Sequence, residues 1–293
     1  MEKKMMLASG KCPWECYFCG YGREKEKKRA PEELKEQIDN YFKGFKPGKI
    51  KKLKVDIHGS LLNPEQVPSE SRCYLAKKVK EYGIEELVIE SRPEYINRKN
   101  LMDFQDINLT VGVGLEVADD HYLRRLNKGF TVSDYENSTQ IADAMGVDIK
   151  TYVLVNPPFI DDVKGMVDQT VREALRHSDG AVLINCYPHE GTPLEERYRE
   201  GEWEPLSKEE FFDLTKDWLV HPKVEYDVRQ KEVPPTWKAW IPRFSDEEEM
   251  EEMDEEALIN SKYEMWQKFL RRKYNPPEDK EIALIMPDSK EKP

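Results

Sequence analysis

Three of the chain's five cysteines fall within eight residues. The segment Cys12-Pro-Trp-Glu-Cys16-Tyr-Phe-Cys19 sets them at a C-x3-C-x2-C spacing. Thiolates are the usual protein ligands of iron–sulfur clusters, and four of them saturate a cubane. Three leave one iron open, able to act as a Lewis acid and to chelate the amino and carboxylate groups of an amino acid. The expectation is therefore a [4Fe–4S] cluster held by Cys12, Cys16 and Cys19. The alternative is a structural zinc ion, which wants four closed ligands. The next candidates for a fourth are His58 and Cys73. Cys73 falls in a helix-like stretch and Cys186 on a strand, and both are expected to be buried small apolar residues. An odd number of cysteines argues against a disulfide framework.

Short apolar, β-rich runs that alternate with helical patterns must position that loop. The runs are residues 5–8, 53–57, 87–89, 109–115, 152–155 and 181–185. The helix-like stretches are 31–42, 69–82, 93–104, 133–145, 163–177 and 193–199. Strand–helix alternation implies an α/β fold with a parallel sheet and right-handed crossovers. Continuous apolar strands fit a sheet covered by helices. Eight such units close a barrel in about 250 residues. Six units between residues 5 and 200 instead predict a partial (βα)6 TIM-like barrel. Ligands of such sheets sit at the carboxyl ends of the strands, which is where the cysteine loop lies. The other strand ends carry Gly59 and Ser60, Glu90 and Arg92, Glu116, Asn156 and Tyr187.

The pattern changes after the sixth unit, so a core domain over 1–205 and a small, mostly helical extension over 206–293 are expected. The extension holds Pro222, Pro234, Pro235 and Pro242, an acidic run at 246–256 and a helix-like stretch at 258–273. The 293 residues suffice for one large domain and a modest appendage. Formal net charge is −12, which weighs against a generally basic nucleic-acid binder. Basic stretches at 23–29 and 49–54 nevertheless leave room for a local basic face. Mean hydropathy is −0.80, and no apolar run is long enough to cross a membrane. The first residues lack a signal-peptide core, so a cytoplasmic location is expected.

With these features in view, residues 5–200 resemble the radical S-adenosylmethionine (SAM) superfamily. The resemblance implies SAM as a second cofactor. It implies Phe18 against the adenine and Gly59-Ser60 near the SAM amino group, where the family usually has Gly-Gly-Glu or Gly-Gly-Thr. It also implies Glu116 on the ribose hydroxyls. Glu90 and Arg92 are expected to contact SAM or an anionic substrate, with Asn156 and Tyr187 near the cofactor. A finer resemblance rests on Cys19-Gly-Tyr-Gly22, Gly59-Ser-Leu-Leu-Asn-Pro64, Glu90-Ser-Arg-Pro-Glu94 and Asn127-Lys-Gly-Phe130. It points to the archaeal family that contains the radical subunit of archaeosine synthase, related to the elongator catalytic subunit. That family implies tRNA modification: C–N cleavage of a lysine adduct of 7-cyano-7-deazaguanine, a lyase- or transferase-type reaction. The partners implied are tRNA, a lysine-adding subunit and a one-electron reductant, with no membrane. Arg92, Lys128 and the N-terminal basic stretch would then meet an RNA backbone, most of those lysines being solvated. The alternatives are a radical SAM paralogue acting on a protein or small molecule, and a non-catalytic, zinc-stabilised binding protein. The acidic tail is expected to be a solvated helix face rather than a docking segment.

Overall fold

The computed structural model describes residues 1–23 and 27–227. Seven strands form one sheet in chain order, every neighbouring pair parallel: β1 (Glu2–Met6), β2 (Lys52–Asp56), β3 (Glu86–Ser91), β4 (Leu109–Glu116), β5 (Asp148–Val155), β6 (Gly180–Asn185) and β7 (Val224–Asp227). The sheet curls into a half-barrel. Eight α-helices accompany it: α1 (Pro31–Phe42), α2 (Ser69–Glu81), α3 (Arg98–Leu101), α4 (Asp120–Arg125), α5 (Val132–Asp143), α6 (Val163–His177), α7 (Pro193–Glu200) and α8 (Lys208–Leu219).

The period of two along each strand divides the residues between two faces. Met5, Leu53, Val55, Leu87, Ile89, Val111 and Val113 are buried in one core cluster with Leu34 and Ile38 of α1 and Leu75 and Val79 of α2. The alternate residues line the concave face, and most are polar: Lys4, Lys54, Asp56, Glu90, Thr110, Lys150 and Tyr152. The hydrophobic effect thus fixes the register, because a slip of one residue would send the charges into the helix layer.

All six expected strands are present. A seventh, β7, follows α8, so the parallel sheet runs past residue 205 to residue 227, into the region expected to be extension. The acidic run, the helix-like stretch at 258–273 and the prolines beyond Pro222 lie outside the described residues. The expected helix at 93–104 is broken into a 3-10 turn (Pro93–Tyr95), α3 and a second 3-10 turn (Met102–Phe104). The break follows from Asn97, whose side chain accepts the Asn100 N–H at 3.0 Å and so caps a new helix. Arg72 of α2, almost fully buried, fills the space beneath. Its guanidinium donates to Leu62 O and Val67 O at 3.0 Å each, to Asn100 Oδ1 at 3.1 Å and to Asp103 Oδ2 at 2.6 Å. Cys186 is buried as expected, whereas Cys73 is exposed on α2 beside Asp103. Its helix turns that position outward, which the helical pattern alone did not settle.

Candidate active site

The cysteine loop follows β1 at the carboxyl end of the sheet, and its own backbone shapes it. The Cys12 N–H donates to Tyr21 O at 3.1 Å, and the Cys19 N–H to Cys16 O at 3.3 Å. Arg23 closes the loop by donating from Nη1 to Cys16 O and Cys19 O at 2.9 and 2.8 Å. The turn that follows α4 holds it from outside. The Tyr17 N–H donates to Leu126 O at 2.9 Å, and Asn127 Nδ2 to Glu15 O at 2.8 Å. Two glycines make room for Trp14. A Cβ on Gly22 would lie 1.9 Å from the Trp14 carbonyl oxygen, and one on Gly129 would lie 2.0 Å from its ring.

Gln66, which the sequence reading did not single out, joins this loop to β2. Its Oε1 accepts the Ser60 N–H at 3.0 Å, and its Nε2 donates to His58 O at 2.9 Å and to Gly10 O at 3.2 Å. Gly59 is needed there: its φ is 141°, and a Cβ would lie 2.3 Å from Gln66 Oε1. Ser60 is fully buried, and its Oγ accepts the Arg92 N–H at 3.0 Å. The Leu61 N–H donates to Glu90 O at 2.9 Å. The ends of β2 and β3 are therefore fastened together beside the cysteines.

Two buried cations complete the site. Arg92 stacks over Trp14 with 4.2 Å from Cζ to the ring centroid, pairs with Glu94 at 2.5 Å and donates to Lys128 O. Its Nη1 lies 3.7 Å from Cys16 Sγ. Lys128 is 5% exposed, pairs with Glu116 at 2.9 Å and lies 5.7 Å from the Phe18 ring centroid. Opposing carboxylate charge keeps the Lys128 pKa above the ordinary lysine value although burial pushes it down. Glu116 sits at a left-handed φ of 69°, where the β4–β5 register shifts. That conformation costs a non-glycine residue about 1–2 kcal/mol. A Cβ on Gly114 would meet Glu116 Oε1 at 2.4 Å, so that glycine admits the carboxylate.

The expectation that Arg92 and Lys128 meet an RNA backbone is corrected, since both are buried and paired inside the protein. Glu90 is also placed differently from the expected contact with SAM or an anionic substrate. That difference is one of partners alone: the Glu90 carboxylate lies on the concave face, at the end of the sheet where ligands sit, paired with Lys54 at 2.8 Å and accepting the Tyr152 hydroxyl at 3.0 Å. The Asn156 side chain donates to Glu204 O at 2.9 Å, and the Asn156 backbone carbonyl accepts the Trp203 Nε1–H at 3.1 Å. Tyr187 begins an aromatic chain: Tyr187 to His189 at 6.0 Å, His189 to Tyr21 at 5.9 Å, and Tyr21 stacked on His58 at 4.5 Å. The structure therefore brings Cys12, Cys16, Cys19, Phe18, Arg92 and Glu116 together through Lys128, and sets Gly59 and Ser60 beside them. The sequence signal for Lys128 was its place in Asn127-Lys-Gly-Phe130. Gln66, Trp14 and Arg23 carried none, because their roles rest on contacts with backbone atoms.

The donor set fits an iron–sulfur cluster. Three thiols share one loop, Cys16 raises the pKa of both other thiols, and Lys128 opposes that effect at both while Arg92 opposes it at Cys12. Burial is the largest influence on Cys12 and Cys19 and raises both, Cys19 to about 11. Two buried cations suit an anionic cluster ligated by three thiolates.

Comparison with known proteins agrees with this geometry. A family model described as the radical SAM superfamily matches residues 6–170, more than half of the chain. Archaeosine synthase subunit beta of Methanosarcina acetivorans is 24% identical over 214 residues, 69% of this chain and 62% of that protein. An uncharacterized protein of Methanocaldococcus jannaschii is 27% identical over 203 residues, 65% of this chain and 56% of that one. The chain thus spans about three-fifths of the length of these curated relatives. Coproporphyrinogen III oxidase of Escherichia coli superposes with a TM-score of 0.53 at 15% identity, over 74% of this chain and 51% of that one.

Proposed function

The chain belongs to the radical SAM superfamily, whose cofactors are a [4Fe–4S] cluster and SAM, and from that premise we propose that it modifies tRNA by cleaving a C–N bond of a lysine adduct of 7-cyano-7-deazaguanine. The observation that carries the chemistry is the loop of three thiols set against buried Lys128 and Arg92. The observation that supports the substrate is the likeness to relatives named archaeosine synthase subunit beta, at 24% and 26% identity.

In this reading Cys12, Cys16 and Cys19 hold the cluster. When bound, the cluster and SAM supply a 5′-deoxyadenosyl radical that takes a hydrogen atom from a substrate carbon. Phe18 lies against the adenine, and the backbone at Gly59 approaches the methionine end. Glu116 keeps one carboxylate oxygen on Lys128 and offers the other to the ribose hydroxyls. Asn156 and Tyr187 border the cofactor. Arg92 and Ser60 are positioning residues that hold the loop against β2 and β3. Lys128 balances negative charge at the cluster and excludes water from that side. The partners of the reading are tRNA, a lysine-adding subunit and a one-electron reductant.

A second reading keeps the chemistry but changes the substrate to a protein or a small molecule. It is favoured by the low identity to those relatives, 24% and 26%.

The test is anaerobic reconstitution with iron and sulfide, followed by dithionite, SAM and tRNA carrying the lysine adduct, with Cys16→Ala alongside. The expected result is 5′-deoxyadenosine and modified tRNA from the wild type alone. 5′-Deoxyadenosine without tRNA conversion moves the protein to the second reading. Zinc without iron, and no nucleoside, refutes the radical chemistry.

A further inference from the structure

The concave face carries a charged group that the cofactor site leaves unused. Lys54 lies between two carboxylates, with Nζ 2.8 Å from Glu90 and 3.6 Å from Asp56. Lys4 of β1 pairs with Asp56 from the other side. Asp227, the last residue of β7, adds its negative charge at Lys54 and at Tyr152. Two carboxylates, Asp56 and Glu90, thus face two ammonium groups on the concave face. Asp56 is 7% exposed, and its Oδ1 is shut off from solvent without a hydrogen-bond donor, Lys54 standing beyond hydrogen-bonding distance.

The aromatic wall of this group is built for the purpose. Tyr152 reaches across β4 to donate to Glu90 at 3.0 Å. It can do so because β4 has glycine at residue 112, where a Cβ would lie 2.5 Å from the tyrosine oxygen. Lys54 Nζ lies 5.8 Å from the Tyr152 ring centroid. Carboxylates beside an aromatic ring are the environment that recognises an alkylammonium ion. The protein's own Lys54 fills it, and the Lys54 side chain is 24% exposed on a flexible stem, so it can give way.

We propose that Asp56 and Glu90, with Tyr152, form a substrate subsite for a protonated amine, which takes the place of the Lys54 ammonium. The subsite rests on the proposed function for its substrate side and narrows the substrate to a molecule with an aminoalkyl group. It also explains why this face is charged where the opposite face is apolar.

The test is ligand-observed NMR on the reconstituted protein with pentylamine, pentanol and pentanoate as probes, folding of each variant being checked by circular dichroism. Pentylamine binds and the other two bind more weakly. Glu90→Gln weakens pentylamine about tenfold, the value of one charge-assisted hydrogen bond. Lys54→Met acts in the opposite sense, because the competing ammonium is gone, and tightens pentylamine. Pentanoate binding as tightly as pentylamine, or an unchanged affinity in Glu90→Gln, overturns the proposal. Two sources of the amine are separated by repeating the comparison with free L-lysine and with tRNA bearing the lysine adduct. A Glu90→Gln defect with either supports the subsite, and a defect with neither overturns it. If pentylamine binding depends on Glu90 while tRNA stays unmodified, the tRNA reading fails and the subsite stands.

Discussion

Replacing Lys128 by Met leaves Glu116 as a carboxylate whose side chain is 10% exposed and whose partner at 2.9 Å is gone. At that distance, with an effective dielectric constant near 20, the lost attraction is about 6 kcal/mol. Removing one partner of a buried pair usually costs about 3–5 kcal/mol. The protein has one way to limit the loss, which is to fold with the carboxyl protonated. For a glutamate of ordinary unfolded-state pKa this costs about 4 kcal/mol at pH 7 and about 1 kcal/mol at pH 5. Lys128→Met should therefore lose about 3–4 kcal/mol at pH 7, and the loss should shrink to about 1 kcal/mol at pH 5. The sign follows from linkage: the folded variant binds a proton that its unfolded chain releases, so lowering the pH stabilises it relative to the wild type. The assay is urea denaturation of the reduced, cluster-free protein at both pH values. The double variant Lys128→Met, Glu116→Leu should recover most of the stability at pH 7, because neither member of the pair is left as an unpaired buried charge. A loss below about 1 kcal/mol at pH 7, or one that is the same at pH 5, would refute the burial argument.

Gly22→Ala and Gly129→Ala each drive a methyl group into Trp14. Both should lower iron bound per chain after reconstitution, and an unchanged iron content with unchanged absorption would contradict the packing described. Arg72→Met strips four acceptors of a buried donor and should cost about 3–5 kcal/mol in urea denaturation; a cost under 1 kcal/mol would show that water replaces the guanidinium. The Asp134 carboxyl is held below its usual range by the Thr131 backbone N–H and hydroxyl that it accepts at the start of α5. A depressed folded pKa means stability that is present above the unfolded value, about 3.8, and lost as pH falls through the folded one. Wild-type stability should therefore fall more steeply than that of Asp134→Asn as the pH drops below about 4, and parallel acid profiles would refute the cap.

The strands and most of the helices were legible because burial imposes a period. Runs such as 109–115 place an apolar residue at every second position to face the helices, and α1 and α6 follow their patterns closely. The cysteine motif was legible because ligand spacing is local. What escaped the sequence depends on contacts across the fold. β7 is only four residues long and half-polar, so its pairing with β6, rather than its composition, makes it a strand. The helix expected at 93–104 broke because one Asn side chain outbid the backbone as an acceptor. The sequence allows Arg92 and Lys128 to meet an RNA backbone, since nothing local says that Trp14, Phe130 and Glu116 enclose them. Glu90 stood correctly at the end of β3, but the parity of the strand, which points it to the concave face, was not used.

The side chain of Gln66 joins two separate stretches of chain, one at Gly10 and the other at His58 and Ser60. No isosteric neighbour can replace it: a glutamate loses the donor, and a shorter asparagine falls short of the far carbonyls. The turn that carries it, residues 63–66, is thereby geared to the cysteine loop. A protein or RNA that settles on that turn would shift the thiols without touching them, and the rate at which iron and sulfide enter the loop would report its arrival.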